Sequence, residues 1–269
     1  MSYFFLNIHS LKTKFKICAN SILLLFLLAG CINKANIYFK RGNCKNSIND
    51  FEGAIIEFNK GLAIDDKNVN CIVGRGISKS NLLDFEGSID DYNLAISIDP
   101  DFGDAHFYKG FSRMMMGNDI EAIKDYTSAI EANPNNAQYY FRRASSKYNL
   151  EQYKEAIADY SLALCIDSLN PDIYHGRGQV KENISEFSSA LADYNKAIGI
   201  KSDHKYALYS RAFLYSDIGS KEASIEDFTT LINYNERETD AYLGRGLNFL
   251  QLEKYDLAIA DFKKSHPMN

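Results

Sequence analysis

The chain has no tryptophan, and only four prolines and sixteen glycines in 269 residues. So few turn formers argue against a turn-rich β architecture and for long helices. Without tryptophan, bulky packing falls to eighteen tyrosines and seventeen phenylalanines. Cysteine is sparse and scattered (Cys18, Cys31, Cys44, Cys71, Cys165), with no C-x-x-C spacing, so neither a zinc site nor a disulfide framework is supported. Cys44, Cys71 and Cys165 read as small buried apolar residues. No phosphate-binding G-x-x-x-x-G-K-[ST], no G-x-S-x-G and no H-E-x-x-H occurs. Of the histidines, His9 falls near the N-terminus, His106 at a packing position, His204 in an expected turn and His266 at the end. The reading is therefore not an enzyme, with no cofactor, no metal and no small-molecule substrate. A balance of 30 basic against 35 acidic residues argues against nucleic acid, whose binding depends on phosphate neutralisation.

The first thirty residues contain no acid but do contain Lys12, Lys14 and Lys16, followed by the apolar run Ile22 to Ala29 and the stretch "LLAGC", Leu27 to Cys31. A basic flank, a short apolar segment and small residues describe a secretory signal. The run from Ile17 to Gly30 falls short of the about 20 residues that span a bilayer. "LAGC" resembles the lipobox of bacterial lipoproteins. That resemblance implies a signal peptide over 1–30, lipidation of Cys31 and a short lipidated linker over 31–34. It also implies an anchor on the exported side of the bacterial cell membrane or outer membrane. Ile32, in place of an aspartate after the cysteine, favours the outer membrane where two membranes exist. The alternative is an ordinary signal or an uncleaved anchor in which Cys31 is incidental. Cleavage would remove three basic residues and leave 27 basic against 35 acidic.

What the rest of the chain does have is a period. "RRASSKYNLEQYKEAIADYSLALCID" (Arg142 to Asp167) is echoed 34 residues later by "GRGQVKENISEFSSALADYNKAIGIK" (Gly176 to Lys201). Ala54, Ser88, Ala122, Ala156, Ala190, Ser224 and Ala258 stand 34 apart without a gap. Four residues beyond each comes an aromatic: Phe58, Tyr92, Tyr126, Tyr160, Tyr194, Phe228, Phe262. With the aliphatics one and eight residues beyond the marker, these form one apolar stripe at helical spacing. Counting from Ala35, Val69, Gly103, Ala137, Pro171, Lys205 and Thr239 as position 1, the small marker is position 20 and the aromatic position 24.

This pattern resembles the tetratricopeptide repeat over about residues 35–267. The family's glycine position reads Gly42, Gly76, Gly110, Ala144, Gly178, Ala212, Gly246, and its proline is kept only as Pro100 and Pro134. The resemblance implies an all-α fold: a right-handed superhelical solenoid of seven tandem 34-residue helix-turn-helix repeats filling 35–269. Two antiparallel helices with a turn near positions 14–16 pair positions whose sum is about 30. The small residue at position 8 then faces the one at 20. Position 7, a leucine in the family, is Arg41, Arg75, Lys109, Arg143, Arg177, Arg211 and Arg245, while position 23 is Glu57, Asp91, Asp125, Asp159, Asp193, Asp227 and Asp261. The sum rule predicts an ion pair inside every hairpin, in preference to a basic ladder for an acidic partner. No such hairpin buries its apolar faces alone, so stability becomes nearest-neighbour in character. The last copy runs out at "KKSHPMN". Either Lys263 and Lys264 cap it, or its edge is a partner surface.

In the family, positions 2, 5, 9, 12 and 13 line a concave, peptide-binding face. Carried across, they place Phe107, Phe111, Met114 and Met115 in the third copy, Phe141 and Tyr148 in the fourth, and Tyr209 and Phe213 in the sixth. Aromatics anchor interfaces and methionine adapts to varied partners. A second reading has the same rings packed between adjacent first helices. Position 5 is never cationic, so the family's clamp for a carboxylate tail is not supported. The function expected is a non-enzymatic, lipid-anchored adaptor that binds a peptide or helical segment of another envelope protein. The alternative is a structural subunit of an envelope, secretion or pilus assembly complex, joined through its convex face or last repeat.

Overall fold

The computed structural model describes residues 34–235 and 237–266. The signal segment 1–30 and the lipidation site Cys31 lie outside the described residues. The described residues are helices joined by short turns, with no strand among them. Helix α1 covers helical residues 34–47. It is followed by α2 (Phe51–Leu62), α3 (Val69–Asn81), α4 (Phe85–Ile98), α5 (Gly103–Met115), α6 (Asp119–Ala132) and α7 (Ala137–Asn149). Then come α8 (Tyr153–Ile166), α9 (Pro171–Asn183), α10 (Phe187–Ile200), α11 (Lys205–Asp217), α12 (Lys221–Tyr234), α13 (Thr239–Gln251) and α14 (Tyr255–Ser265). Each pair is one copy of the repeat, and the first helices from α3 onward begin at the expected residues. The chain divides into two compact units, one ending at Ala132 with three hairpins and one beginning at Asn133 with four.

Every hairpin turns in the same way. Position 15 takes the left-handed backbone in all seven copies, at Asn49, Leu83, Gly117, Glu151, Ser185, Gly219 and Glu253, of which only two are glycine. The reversed helix end is closed by paired backbone bonds: Leu83 N–H donates to Ser80 O and Asp84 N–H to Lys79 O, both at 3.0 Å. Asp84 then caps α4, accepting from Gly87 N–H at 2.9 Å. At the far ends, α4 and α6 stop just before Pro100 and Pro134. However, α8, α10 and α12 stop at the same repeat position without proline, so the inter-repeat packing sets that boundary.

The core of each hairpin is a ring laid across glycine. The small residues at position 20 are buried, as are the aromatics at position 24 from Phe58 to Phe228. Where the sum rule set the glycine at position 8 against position 20, the structure places the ring of position 24 directly on it. A Cβ on Gly76 would lie 2.6 Å from the Tyr92 ring, and one on Gly178 would lie 2.5 Å from the Tyr194 ring. The far side of the ring meets position 6 of the next copy, as Gly74 does on Phe58, Gly176 on Tyr160 and Gly244 on Phe228. One ring thus joins two hairpins, and its burial contributes about 1.5–3 kcal/mol.

A polar pin repeats the junction in both units. In the first, the Ser112 hydroxyl lies 2.8 Å from Ser88 Oγ and donates to Ser80 Oγ at 3.4 Å. In the second, buried Asn248 Nδ2 donates to Ser224 Oγ at 2.7 Å and Asn248 Oδ1 accepts from Ser216 at 2.8 Å. Each pin joins position 10 of one copy to positions 20 and 12 of the copy before it. Two cysteine expectations need correction, because only Cys71 is buried, its thiol pushed up to about 11 chiefly by burial, whereas Cys44 and Cys165 are exposed. Cys44 holds position 10 on α1, which no earlier described helix covers, and Cys165 lies near the outer end of α8.

Candidate interaction face

The cations at position 7 turn inward. Arg75, Arg143, Arg177, Arg211 and Arg245 each approach the carboxylate at position 23 of their own hairpin at 2.6–2.8 Å. Lys109 reaches Asp125 at 3.5 Å and Arg41 reaches Glu57 at 4.0 Å. The ladder is therefore structural, as the sum rule predicts. Two further partners were not read from the sequence. A second cation at position 11 joins the same carboxylate: Lys79 on Asp91, Arg113 on Asp125 and Lys147 on Asp159 at 2.8 Å, and Lys181 on Asp193 at 2.7 Å. The arginine's spare Nη1 donates to position 25 of the preceding hairpin: to Asn59 Oδ1 from Arg75 (2.8 Å), to Ser161 Oγ from Arg177 (3.1 Å) and to Thr229 Oγ1 from Arg245 (2.9 Å). In the last two copies position 11 is Tyr215 or Phe249, and the arginine lies 5.8 Å from that ring instead. Hydrogen bonding to the paired aspartate holds the Arg177 and Arg245 guanidinium groups above their usual pKa.

With the ladder satisfied internally, the eight side chains expected on a binding face all lie on first helices. In the unit ending at Ala132, α5 carries Phe107, Phe111, Met114 and Met115. Phe107 lies 5.8 Å from the core ring of Tyr126, and Tyr126 Oη donates to Met114 Sδ at 3.8 Å. Phe107, Phe111 and Met114 are half-buried, and Met115 is about half exposed. In the unit beginning at Asn133, Phe141 lies 5.7 Å from the Tyr160 ring, with the Arg142 guanidinium 5.3 Å from the Phe141 ring. Tyr148 Oη accepts from Asn183 Nδ2 at 2.8 Å, which ties α7 to α9. Tyr209 and Phe213 stack at 6.1 Å, both against Phe228. Tyr209 Oη donates to Glu238 at 3.0 Å, and Lys205 pairs with that same carboxylate at 2.9 Å.

None of these eight side chains is fully buried, and Phe213 remains nearly half exposed. The two sequence readings therefore share the same atoms. The ring at position 5 rests one edge on the core aromatic at position 24 and leaves the other toward solvent. The four residues on α5 and the four on α7 and α11 make a separate row in each unit.

A histidine pair was missed. His204 was read as a turn residue, yet it is buried and caps α11, with Nδ1 accepting from Ala207 N–H at 3.0 Å. With Nδ1 accepting, the other ring nitrogen, Nε2, faces Asp172 Oδ1 at 3.0 Å. His175 lies 5.6 Å from His204, stacks at 6.1 Å on Tyr206 and meets Ser210 Oγ at 3.1 Å. Burial, with the neighbouring His204 adding to it, pushes the His175 imidazole down to about 4, against an opposing pull from Asp172. Position 34 is the cap of the next first helix, held by Asn68, Asn136 and Asn170 in three other copies, and that pattern could have flagged His204 as a cap. Among the described residues no group of three or more His, Cys, Asp or Glu side chains gathers as a metal site requires. Nor is any described helix long and apolar enough to cross a membrane.

The helix order, the ring-on-glycine core and the stacked hairpins define an all-α tandem-repeat fold like that of tetratricopeptide proteins. The sequence profile described as "Tetratricopeptide repeat" matches residues 121–173. No curated protein matches the chain. Solved structures do. The C-terminal part of a TPR repeat-containing protein from Cytophaga hutchinsonii is 18% identical, with a TM-score of 0.68 over 86% of this chain and 96% of that one. PilF of Pseudomonas aeruginosa is 17% identical, with a TM-score of 0.65 over 76% and 94%. YrrB, described as a TPR protein with an unusual peptide-binding site, is 22% identical, with a TM-score of 0.53 over 65% and 90%. At these identities the likeness establishes the fold.

Proposed function

We propose that the protein is a non-enzymatic protein–protein interaction scaffold. It is tethered through lipidated Cys31 to the exported side of the bacterial cell envelope, and it holds a peptide or helical segment of a partner on its first helices. The observation that carries this reading is the set of partly exposed rings described above. Phe107, Phe141, Tyr209 and Phe213 are each backed by a core aromatic and only partly covered in front, the arrangement that makes an effective anchor. Exposed apolar residues recur on the second helices too: Ile166, Ile200 and Tyr234 fill position 30 of three successive copies, and Leu94 and Leu162 both fill position 26. A structural subunit joined through that side is therefore the alternative reading.

The test is crosslinking capture from membranes with the full chain, comparing wild type with Phe107→Asp plus Phe111→Asp and with Phe141→Asp. Loss of captured partner at unchanged helicity supports the scaffold reading. Retained partner at unchanged helicity supports the structural-subunit alternative. Incorporation of labelled fatty acid that disappears in Cys31→Ser checks the anchor.

A further inference from the structure

The inner positions of the unit beginning at Asn133 are acidic as well as aromatic. Building on the scaffold reading, we propose that the segment held there is cationic, presenting Lys or Arg side chains to α9 and α11. Tyr206, about two-thirds exposed, stacks on His175, while Phe213 stacks on Tyr209 with its outer face open. These rings share the face with Asp172, Glu182 and Asp217. An aromatic face beside carboxylates is the setting in which ammonium and guanidinium groups bind.

The pairing habit of this chain makes those three carboxylates stand out. Each ladder carboxylate, buried in every copy but that of Glu57, has one or two cations on it. Among the described residues none of Asp172, Glu182 and Asp217 has a lysine or arginine within ion-pair distance. Asp172 meets only the His204 ring, whose other nitrogen accepts from Ala207 N–H. Glu182 accepts from Tyr194 Oη. Of the nearby cations, Lys205 is engaged by Glu238 and Arg142 lies over Phe141. Burial raises the Glu182 pKa, the Tyr194 hydrogen bond opposes it, and the charge of Asp217 adds to the rise. Two carboxylates that repel one another beside open aromatic faces complement a positive charge supplied from outside. The inner positions of the other unit bear one carboxylate, Asp104, and are otherwise apolar, amide or hydroxyl side chains. The charge preference is therefore confined to the second unit.

The experiment is selection of a phage-displayed random dodecapeptide library on the immobilised full chain in detergent. Enriched peptides are then titrated, fluorescein-labelled, against wild type and Glu182→Gln/Asp217→Asn. The expected result is enrichment of net-positive peptides whose affinity falls roughly tenfold in the double variant and falls with added salt. Glutamine keeps an acceptor for Tyr194, and Asp217→Asn alone, at an exposed position, serves if the double variant loses helicity. Enrichment of neutral or acidic peptides, or cationic peptides indifferent to these substitutions, overturns the charge inference and leaves the scaffold reading standing. No enrichment of any peptide overturns both.

Discussion

From Asn133 onward, four hairpins close on the same fork: arginine Nε and Nη2 on the two oxygens of one aspartate, at 2.6–2.9 Å. Before Ala132 the ladder is uneven. Arg75 forms the full fork with Asp91, but Arg41 stands 4.0 Å from Glu57 with most of its side chain in water, and Lys109 stands 3.5 Å from Asp125. The difference shows what arginine supplies at position 7. A planar guanidinium makes two parallel bonds to one carboxylate and still turns Nη1 toward the preceding hairpin, whereas an ammonium is a point charge on a flexible stem. Asp125, facing lysine, has a raised pKa. Burial is the largest cause, and Lys109 and Arg113 offset it only in part.

The sharpest way to break this comparison is to remove a carboxylate from each unit. Asp193→Ala leaves Arg177 and Lys181, each no more than a fifth exposed, without their counter-charge. The expected cost is about 3 kcal/mol, read as a drop in the urea midpoint. Glu57→Ala should cost less than about 1 kcal/mol, because its partners Arg41 and Lys60 have side chains 63% and 50% exposed and are screened by water. Equal losses in the two variants would show that the forks contribute no more than the long pair.

Much of this contrast is legible in the sequence, and the rest is hidden for identifiable reasons. The partnership of positions 7 and 23 follows from the antiparallel sum rule, which needs only the turn's place. The second cation at position 11 lies one helical turn beyond the first, on the same face, so the spacing was available to be read (Arg75 and Lys79, Arg143 and Lys147). The acceptor at position 25 belongs to the preceding hairpin, and no rule inside one repeat reveals it. The candidate face was legible as a list of rings, because position 5 recurs as an aromatic. How much of each ring is open was not, since exposure depends on the neighbouring repeat. His204 was read as a turn although Asn68, Asn136 and Asn170 mark position 34 as a cap; histidine is an unusual residue there, and coordinates show its Nδ1 accepting from Ala207 N–H.

A smaller effect tests the fork from the other direction. Lys109→Arg should bring the first unit's third hairpin toward the geometry of the second unit and stabilise it by about 1 kcal/mol. The sign of the pH dependence follows from the raised Asp125 pKa. Between its ordinary value of 3.8 and the higher folded value, the native state binds the more protons. The stability tied to this group is therefore fully present below 3.8 and is lost as pH rises through the folded pKa. In the arginine variant the Asp125 carboxyl should titrate lower, followed by its carbon chemical shift, and this slope should flatten. An unchanged titration would mean that burial alone, and not the choice of cation, governs Asp125.

The smallest effect concerns the turn, where the two units are built alike and the difference lies between residues. Each unit has one glycine at position 15, Gly117 or Gly219, and elsewhere forces a side-chain-bearing residue to positive φ. Leu83 is the extreme case, with φ of 64° and a side chain 72% exposed, so it carries the left-handed strain with little burial in return. That strain is about 1–2 kcal/mol for an L residue, and glycine escapes it while giving up part of the gain to a more flexible unfolded chain. Leu83→Gly should therefore stabilise by about 0.5 kcal/mol in urea unfolding. Leu83→Asn should gain less, since asparagine tolerates this region without being free of the penalty. A loss of stability in Leu83→Gly would mean that the leucine makes contacts worth more than the strain, and that the left-handed turn is held by packing in the first unit but by glycine at Gly219 in the second.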